Sequence, residues 1–170
     1  MSRAVLVIDM IRGFLEEGYP LYCGVRARKI IPAIHDLLIS KEIKGAPIFF
    51  ICDWHQPNDL EFQMFPPHCI AGTIETEIVP ELNYFGYIIH KNRYSAFFNT
   101  TLEKQLSAFE IDTLTICGVC TDICVLHTVA DARNLDYTVE VPADCVASFD
   151  LDAHKFAIQH IQKILGARII

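Results

Sequence analysis

An α/β fold of three layers, with a mostly parallel, Rossmann-like sheet covered by helices on both faces, is predicted by three observations. Short apolar runs alternate along the chain with helical periodicities, the pattern of repeated strand–helix units. The runs Ala4–Ile8, Pro47–Cys52 and Thr113–Cys117 are almost continuously apolar or β-branched, as strands buried on both faces are. Asp9, Asp53 and Lys91 stand just past the ends of such runs, and ligands of parallel sheets bind at the C-terminal strand ends.

The elements follow in order. Ala4–Ile8 reads as a central strand ending at Asp9, and Arg12 to Gly24 as a loop punctuated by Gly13, Gly18, Pro20 and Gly24. Ile30, Ile31, Ile34, Leu37 and Leu38 recur at helical spacing as far as Lys41, with Pro32 in the first turn and Gly45 as the stop. Pro47–Cys52 is the second buried strand. From Asp53 to Thr76 the chain is polar and aromatic with little periodicity, and excursions of that length inside compact domains tend to carry function. Tyr84–His90 reads as the third strand and Leu102–Phe109 as a short amphipathic helix. Thr113–Cys117 is the next strand, Asp122–Asn134 its helix, Tyr137–Val141 a further strand. Leu151–Leu165 closes the pattern with an apolar stripe of Ala153, Phe156, Ala157, His160, Ile161, Ile164 and Leu165. With 170 residues and 52% hydrophobic content, residues 1–170 are expected to form one domain around a proper core.

A net charge of −7 without a basic cluster argues against nucleic acid as partner. No apolar run approaches a membrane span, and Ala4–Ile8, broken by Asp9, is too short for a signal-peptide core. The expectation is a cytoplasmic chain that needs no membrane, with self-association into a homo-oligomer left open. Its seven cysteines are then expected to be reduced.

The most informative stretch is T-I-C-G-V-C-T-D-I-C-V-L-H-T-V from Thr115 to Val129. Gly118 permits an unusual backbone dihedral, Thr121 or Asp122 is a suitable N-cap, and Cys124 falls in the first helical turn. There the helix dipole and unsatisfied amides favour a thiolate. Cys120, in the turn itself, is the rival nucleophile, and spacing does not separate the two. Cys117 and Cys120 also form a C-x2-C pair at a helix start, which opens a non-enzymatic redox or interaction reading.

Asp9, Lys91 and the Cys120/Cys124 turn lie just past strand ends, so a parallel sheet brings them to one edge. A carboxylate, an ammonium and a thiol can act there as proton acceptor, charge stabiliser and nucleophile. Asp53 and His55 form D-x-H, which puts both side chains on one side of an extended segment, with Glu61 and His68 following and Asp59 a competing ligand. Two carboxylates and two imidazoles suit a divalent ion, zinc first, with manganese or iron as alternatives.

Taken together, A-V-L-V-I-D-M-I-R-G-F, D-W-H with P-P-H-C-I-A-G-T, K-N-R-Y-S-A-F and G-V-C-T-D-I-C-V resemble the isochorismatase-like cysteine hydrolases, and within them the nicotinamidases (pyrazinamidases). The resemblance spans nearly the whole chain. It implies an Asp9–Lys91–Cys124 triad, with the last cysteine of the motif as nucleophile. It also implies a cis peptide between Val119 and Cys120 and an oxyanion held by the backbone amides of Cys120 and Cys124. Asp53, His55 and His68 match the family's metal ligands. No histidine occurs between His55 and His68, so Glu61 is the choice for the fourth. Phe14, Phe65 and Tyr94 match positions that wall the substrate ring. The implied reaction is hydrolysis of nicotinamide to nicotinate and ammonia through a Cys thioester, within NAD salvage. A metal-free amidase or isochorismatase-type hydrolase would share the triad.

Overall fold

The computed structural model describes residues 2–82 and 85–170. Its order is β1 (Arg3–Ile8), α1 (Arg12–Leu15), α2 (Gly24–Arg28), α3 (Ile31–Ile43), β2 (Ile48–Asp53), β3 (Tyr87–Lys91), α4 (Leu102–Ala108), β4 (Thr113–Val119), α5 (Leu126–Asn134), β5 (Thr138–Val141), β6 (Val146–Ala147), α6 (Leu151–Lys163) and β7 (Arg168–Ile169). Among the described residues the strands form one sheet in the order β3-β2-β1-β4-β5-β7, with β6 pairing beside β4. The pairs are parallel throughout.

Alternation along β1 explains the layers. Val5 and Val7 point to one face, where they pack with Ile31, Ile34 and Leu38 of α3. Ala4, Leu6 and Ile8 point to the other, against Leu106 of α4, Val129 of α5 and Ile161 of α6. Period-2 side-chain alternation on a sheet buried on both sides thus builds two cores at once. Each fully buried Leu or Ile side chain contributes about 1.5–3 kcal/mol. This is the three-layer α/β architecture expected from the sequence.

Several boundaries differ from expectation for identifiable reasons. The Arg12–Gly24 loop contains α1, and α2 begins at Gly24, both too short to show a period. The third strand starts at Tyr87; Tyr84, assigned to it from sequence, lies outside the described residues. As the edge strand of the sheet, β3 leaves Tyr87 and Ile88 exposed. β4 runs two residues further than expected, through Gly118 to Val119. Gly118 has φ +115°, and a Cβ there would stand 2.0 Å from the carbonyl oxygen of Ile8, so the close approach of β4 to β1 requires glycine. On α6 the buried stripe narrows to Ala157 and Ile161, and Phe156 and Ile164 are exposed. The long excursion after β2 is organised by single turns at Leu60–Gln63 and Ile74–Thr76 and by bridges pairing His55 with Ile70 and Ile11 with Ile78.

Candidate active site

Neighbouring strands deliver the reactive groups to one sheet edge. β1 ends at Ile8, and Asp9 follows with φ 51°, a left-handed conformation that is costly outside glycine and concentrates at functional sites. The β2–β3 register sets Asp53 beside Lys91. The Asp53 amide then donates to Asp9 Oδ1 at 2.9 Å. Lys91 Nζ lies 2.8 Å from Asp9 Oδ2, forms an ion pair with Asp53 Oδ1, and reaches Cys124 Sγ at 3.5 Å. All four side chains are buried. The lysine is no surface residue; it neutralises a carboxylate pair that the interior would otherwise not tolerate.

Cys124 sits in a single wide turn, Thr121–Val125, between β4 and α5. Cys120, extended at φ −86° and ψ 143°, occupies the N-cap position without a side-chain cap, so neither Thr121 nor Asp122 takes the capping role. Instead the amides of Ile123 and Val125 both donate to the Cys120 carbonyl at 3.1 Å. The Val119–Cys120 peptide is cis, as the resemblance implied.

Charge around this group is divided. Burial and the neighbouring Asp53 raise the Asp9 carboxyl to about 6, against the pull of Lys91. Burial also opposes the charge on Lys91, but the two carboxylates hold its ammonium well above the usual lysine range. The Cys124 thiol is pushed well up by burial, although Lys91 draws the other way. Burial thus works against the thiolate that the helix start was expected to favour. A neutral thiol beside an ionisable base is the resting pair.

The second constellation adjoins the first through Asp53. Ligand atoms of Asp53, His55 and His68 all lie within 4.8 Å of one another. His55 Nε2 stands 3.5 Å and His68 Nε2 3.8 Å from Asp53 Oδ2, and Glu61 Oε1 is 3.9 Å from His68 Nε2. His55 Nε2 and Glu61 Oε2 are buried without a hydrogen-bond partner among the described residues. Each imidazole is anchored by its far nitrogen, His55 Nδ1 to Asp59 Oδ2 at 3.1 Å and His68 Nδ1 to the Pro66 carbonyl at 2.8 Å. Donation from Nδ1 leaves both Nε2 lone pairs facing the carboxylates, the arrangement a cation requires. The residues therefore fit a divalent metal. Asp59, the alternative to Glu61, is turned to the Nδ1 side of His55, where it also accepts from Arg93 Nη1 at 2.8 Å and from the Glu61 amide at 2.9 Å. Sequence reasoning missed this bracing role because the i to i+4 spacing of His55 and Asp59 crosses a loop, where no period advertises it.

One small cavity of about 40 Å³ unites the two groups, lined by Asp9, Cys120 and Cys124 together with Asp53, Glu61 and His68. His55 and Lys91 lie buried behind that lining. Phe14, Phe65 and Tyr94 line the cavity, with Phe14 and Phe65 ring centroids 5.8 and 6.4 Å from that of His68. Leu21, Cys23 and Phe149 add to the wall; they come from loops and carry no sequence signal. The redox pairing suggested by C-x2-C does not appear in the packing. The Cys117 sulfur lies 3.6 Å from the Leu6 carbonyl and the Cys120 sulfur 3.3 Å from that of Cys23.

Comparison with known proteins gives a consistent picture. The family model described as the isochorismatase domain matches residues 3–169. An uncharacterised isochorismatase family protein of Bacillus subtilis (strain 168) is 35% identical, over 99% of this chain and 99% of its own. The crystal structure of a pyrazinamidase/nicotinamidase from Streptococcus mutans UA159 superposes with a TM-score of 0.92 at 37% identity, covering 99% of this chain and 100% of that one. A pyrazinamidase of Pyrococcus horikoshii, solved in complex with zinc, superposes at 0.93 with 30% identity, over 100% and 99% of the two chains.

Proposed function

The chain belongs to the isochorismatase family, and on that premise we propose that it is a metal-dependent amidase hydrolysing nicotinamide to nicotinate and ammonia through a thioester on Cys124. The observation that carries this reading is the sharing of one cavity by Asp9 and Cys124, both contacted by the buried Lys91, and the Asp53, Glu61 and His68 side chains. Asp53, His55, Glu61 and His68 would hold the cation, zinc first, with manganese or iron as alternatives. When bound, that cation supplies a Lewis acid for a ring nitrogen.

The chain's own residues account for the steps. Phe14, Phe65 and Tyr94 wall a flat ring and exclude water, presenting the carboxamide carbon to Cys124. Asp9, ionised above about pH 6, takes the thiol proton. Lys91, 3.5 Å from the sulfur, stabilises the thiolate that attacks the carbonyl. The oxyanion that forms is held by the backbone amides of Cys120 and Cys124. Asp9 passes its proton to the amide nitrogen, which leaves as ammonia with the C–N bond broken. A water then enters, loses a proton to Asp9 and attacks the thioester. Collapse releases the acid and returns the proton to sulfur.

The test is ammonia release from nicotinamide by purified protein with and without a chelator. Turnover that falls on chelation and returns on adding zinc supports the reading. Turnover that survives in protein analysed as metal-free points to a metal-independent amidase. Metal-loaded protein with no turnover on nicotinamide sinks the substrate assignment.

A further inference from the structure

Cys23, Cys120 and Cys124 all line the cavity, and the reaction above uses the sulfur of Cys124 alone. Cys23 precedes α2 and Cys120 directly follows β4, yet their sulfurs meet 3.3 Å apart. The two residues are 3% and 7% exposed. The Cys23 sulfur has a further contact at 3.5 Å to the Leu21 carbonyl. Two buried thiols at that separation form a hydrogen-bonded dithiol that needs about an ångström of closure to reach the roughly 2.05 Å of a disulfide. The contact with Cys23, together with burial, pushes the Cys120 thiol well up, which slows its attack on an oxidant.

We propose that Cys23 and Cys120 are a modification site: hydrogen peroxide, small enough to enter the cavity, converts them to a disulfide, and the bridge switches off turnover. The sulfur of one cysteine attacks the peroxide, the O–O bond breaks, and a sulfenic acid forms as water leaves. The second thiol attacks the sulfenyl sulfur, the S–S bond forms, and a second water carries off the hydroxyl and the remaining proton. Two electrons pass from the dithiol to one peroxide. An external dithiol reverses the change by two exchange steps. The loss of turnover rests on the amidase reading, because Cys120 supplies an oxyanion amide there, and tying its side chain to Cys23 moves that amide. Formation of the bridge does not depend on that reading.

The experiment treats the protein with hydrogen peroxide at a dose that leaves the Cys124 thiol unmodified by mass, blocks remaining thiols and maps the peptides. The expected product joins the Cys23 and Cys120 peptides, is undone by dithiothreitol, and forms equally in Cys124→Ala protein, where no turnover is needed to see it. In wild-type protein ammonia release is lost in step with the bridged fraction and recovers with dithiothreitol. Cys23→Ser protein, compared with its own untreated activity, shows neither bridge nor reversible loss. Cys23 and Cys120 both remaining alkylatable, a bridge that contains Cys124, or bridged protein with undiminished turnover would each overturn the proposal.

Discussion

At Cys124 the influences on the thiol oppose one another, and their balance assigns the proton. Burial outweighs Lys91, so the sulfur rests protonated, while the same burial raises Asp9 only to about 6. Asp9 is thus the member of the Asp9–Lys91–Cys124 group whose charge changes nearest to neutrality. Protonation removes the base, so kcat/KM is expected to fall at acid pH, approaching tenfold per pH unit, from about 6 downward and lower still when a cation stands beside Asp53. Asp9→Asn should abolish that acid limb and lower kcat by ~10²–10⁴-fold. A pH–rate profile of metal-loaded protein with no acid limb down to the ordinary carboxylate range would contradict the role given to Asp9. At the metal group, burial works against a charge on His55, but Asp53 and Asp59 prevail and raise its affinity for a proton. Protons then compete with a cation for Nε2, and metal affinity should weaken as pH falls. Asp59→Ala, which frees the His55 ring, should reduce metal affinity by ~10–100-fold, measured by competition with a calibrated chelator.

Among the elements, β4 and the turn after it set the geometry most tightly. Gly118→Ala places a Cβ against the Ile8 backbone at φ +115°. Strain of this kind costs about 1–3 kcal/mol before any clash is added, so denaturant unfolding should show a loss of at least ~3 kcal/mol. An alanine variant of wild-type stability would mean that the two strands can separate without cost. The sequence was informative at this scale wherever a physical signal was local. Apolar runs marked β1, β2 and β4, Asp9 and Lys91 fell at strand ends, and Gly118 announced an unusual dihedral. Signals failed where the cause was tertiary. α1 and α2 hold their places by packing, Phe156 and Ile164 lie outside the buried arc that α6 needs, and the Cys23–Cys120 contact joins residues 97 positions apart. The assignment of Cys124 over Cys120 came from resemblance to a family motif, because spacing is blind to which sulfur stands 3.5 Å from Lys91.

In the whole molecule, β1, β2 and β3 bring the Asp9–Lys91 pair and the Asp53–His55 pair to one end of the sheet, with Asp53 in contact with both Lys91 and His55. Sharing one carboxylate couples the two: a cation beside Asp53 offsets the charge that helps raise Asp9. A cation bound only by the folded chain also stabilises it, by about 2.7 kcal/mol at a concentration one hundred times Kd. A chelator should therefore lower the Tm of wild-type protein and leave that of His55→Ala unchanged. Equal shifts in both proteins would remove His55 from the metal group. The covalent step, on which the account turns, is tested most directly by quenching protein with nicotinamide during turnover and mapping the acylated peptide by mass. The account predicts a nicotinoyl group on Cys124 that disappears on further incubation and is absent from Cys124→Ala, whose turnover should fall by at least ~10³-fold. An adduct on Cys120, or sustained ammonia release from Cys124→Ala, would contradict it.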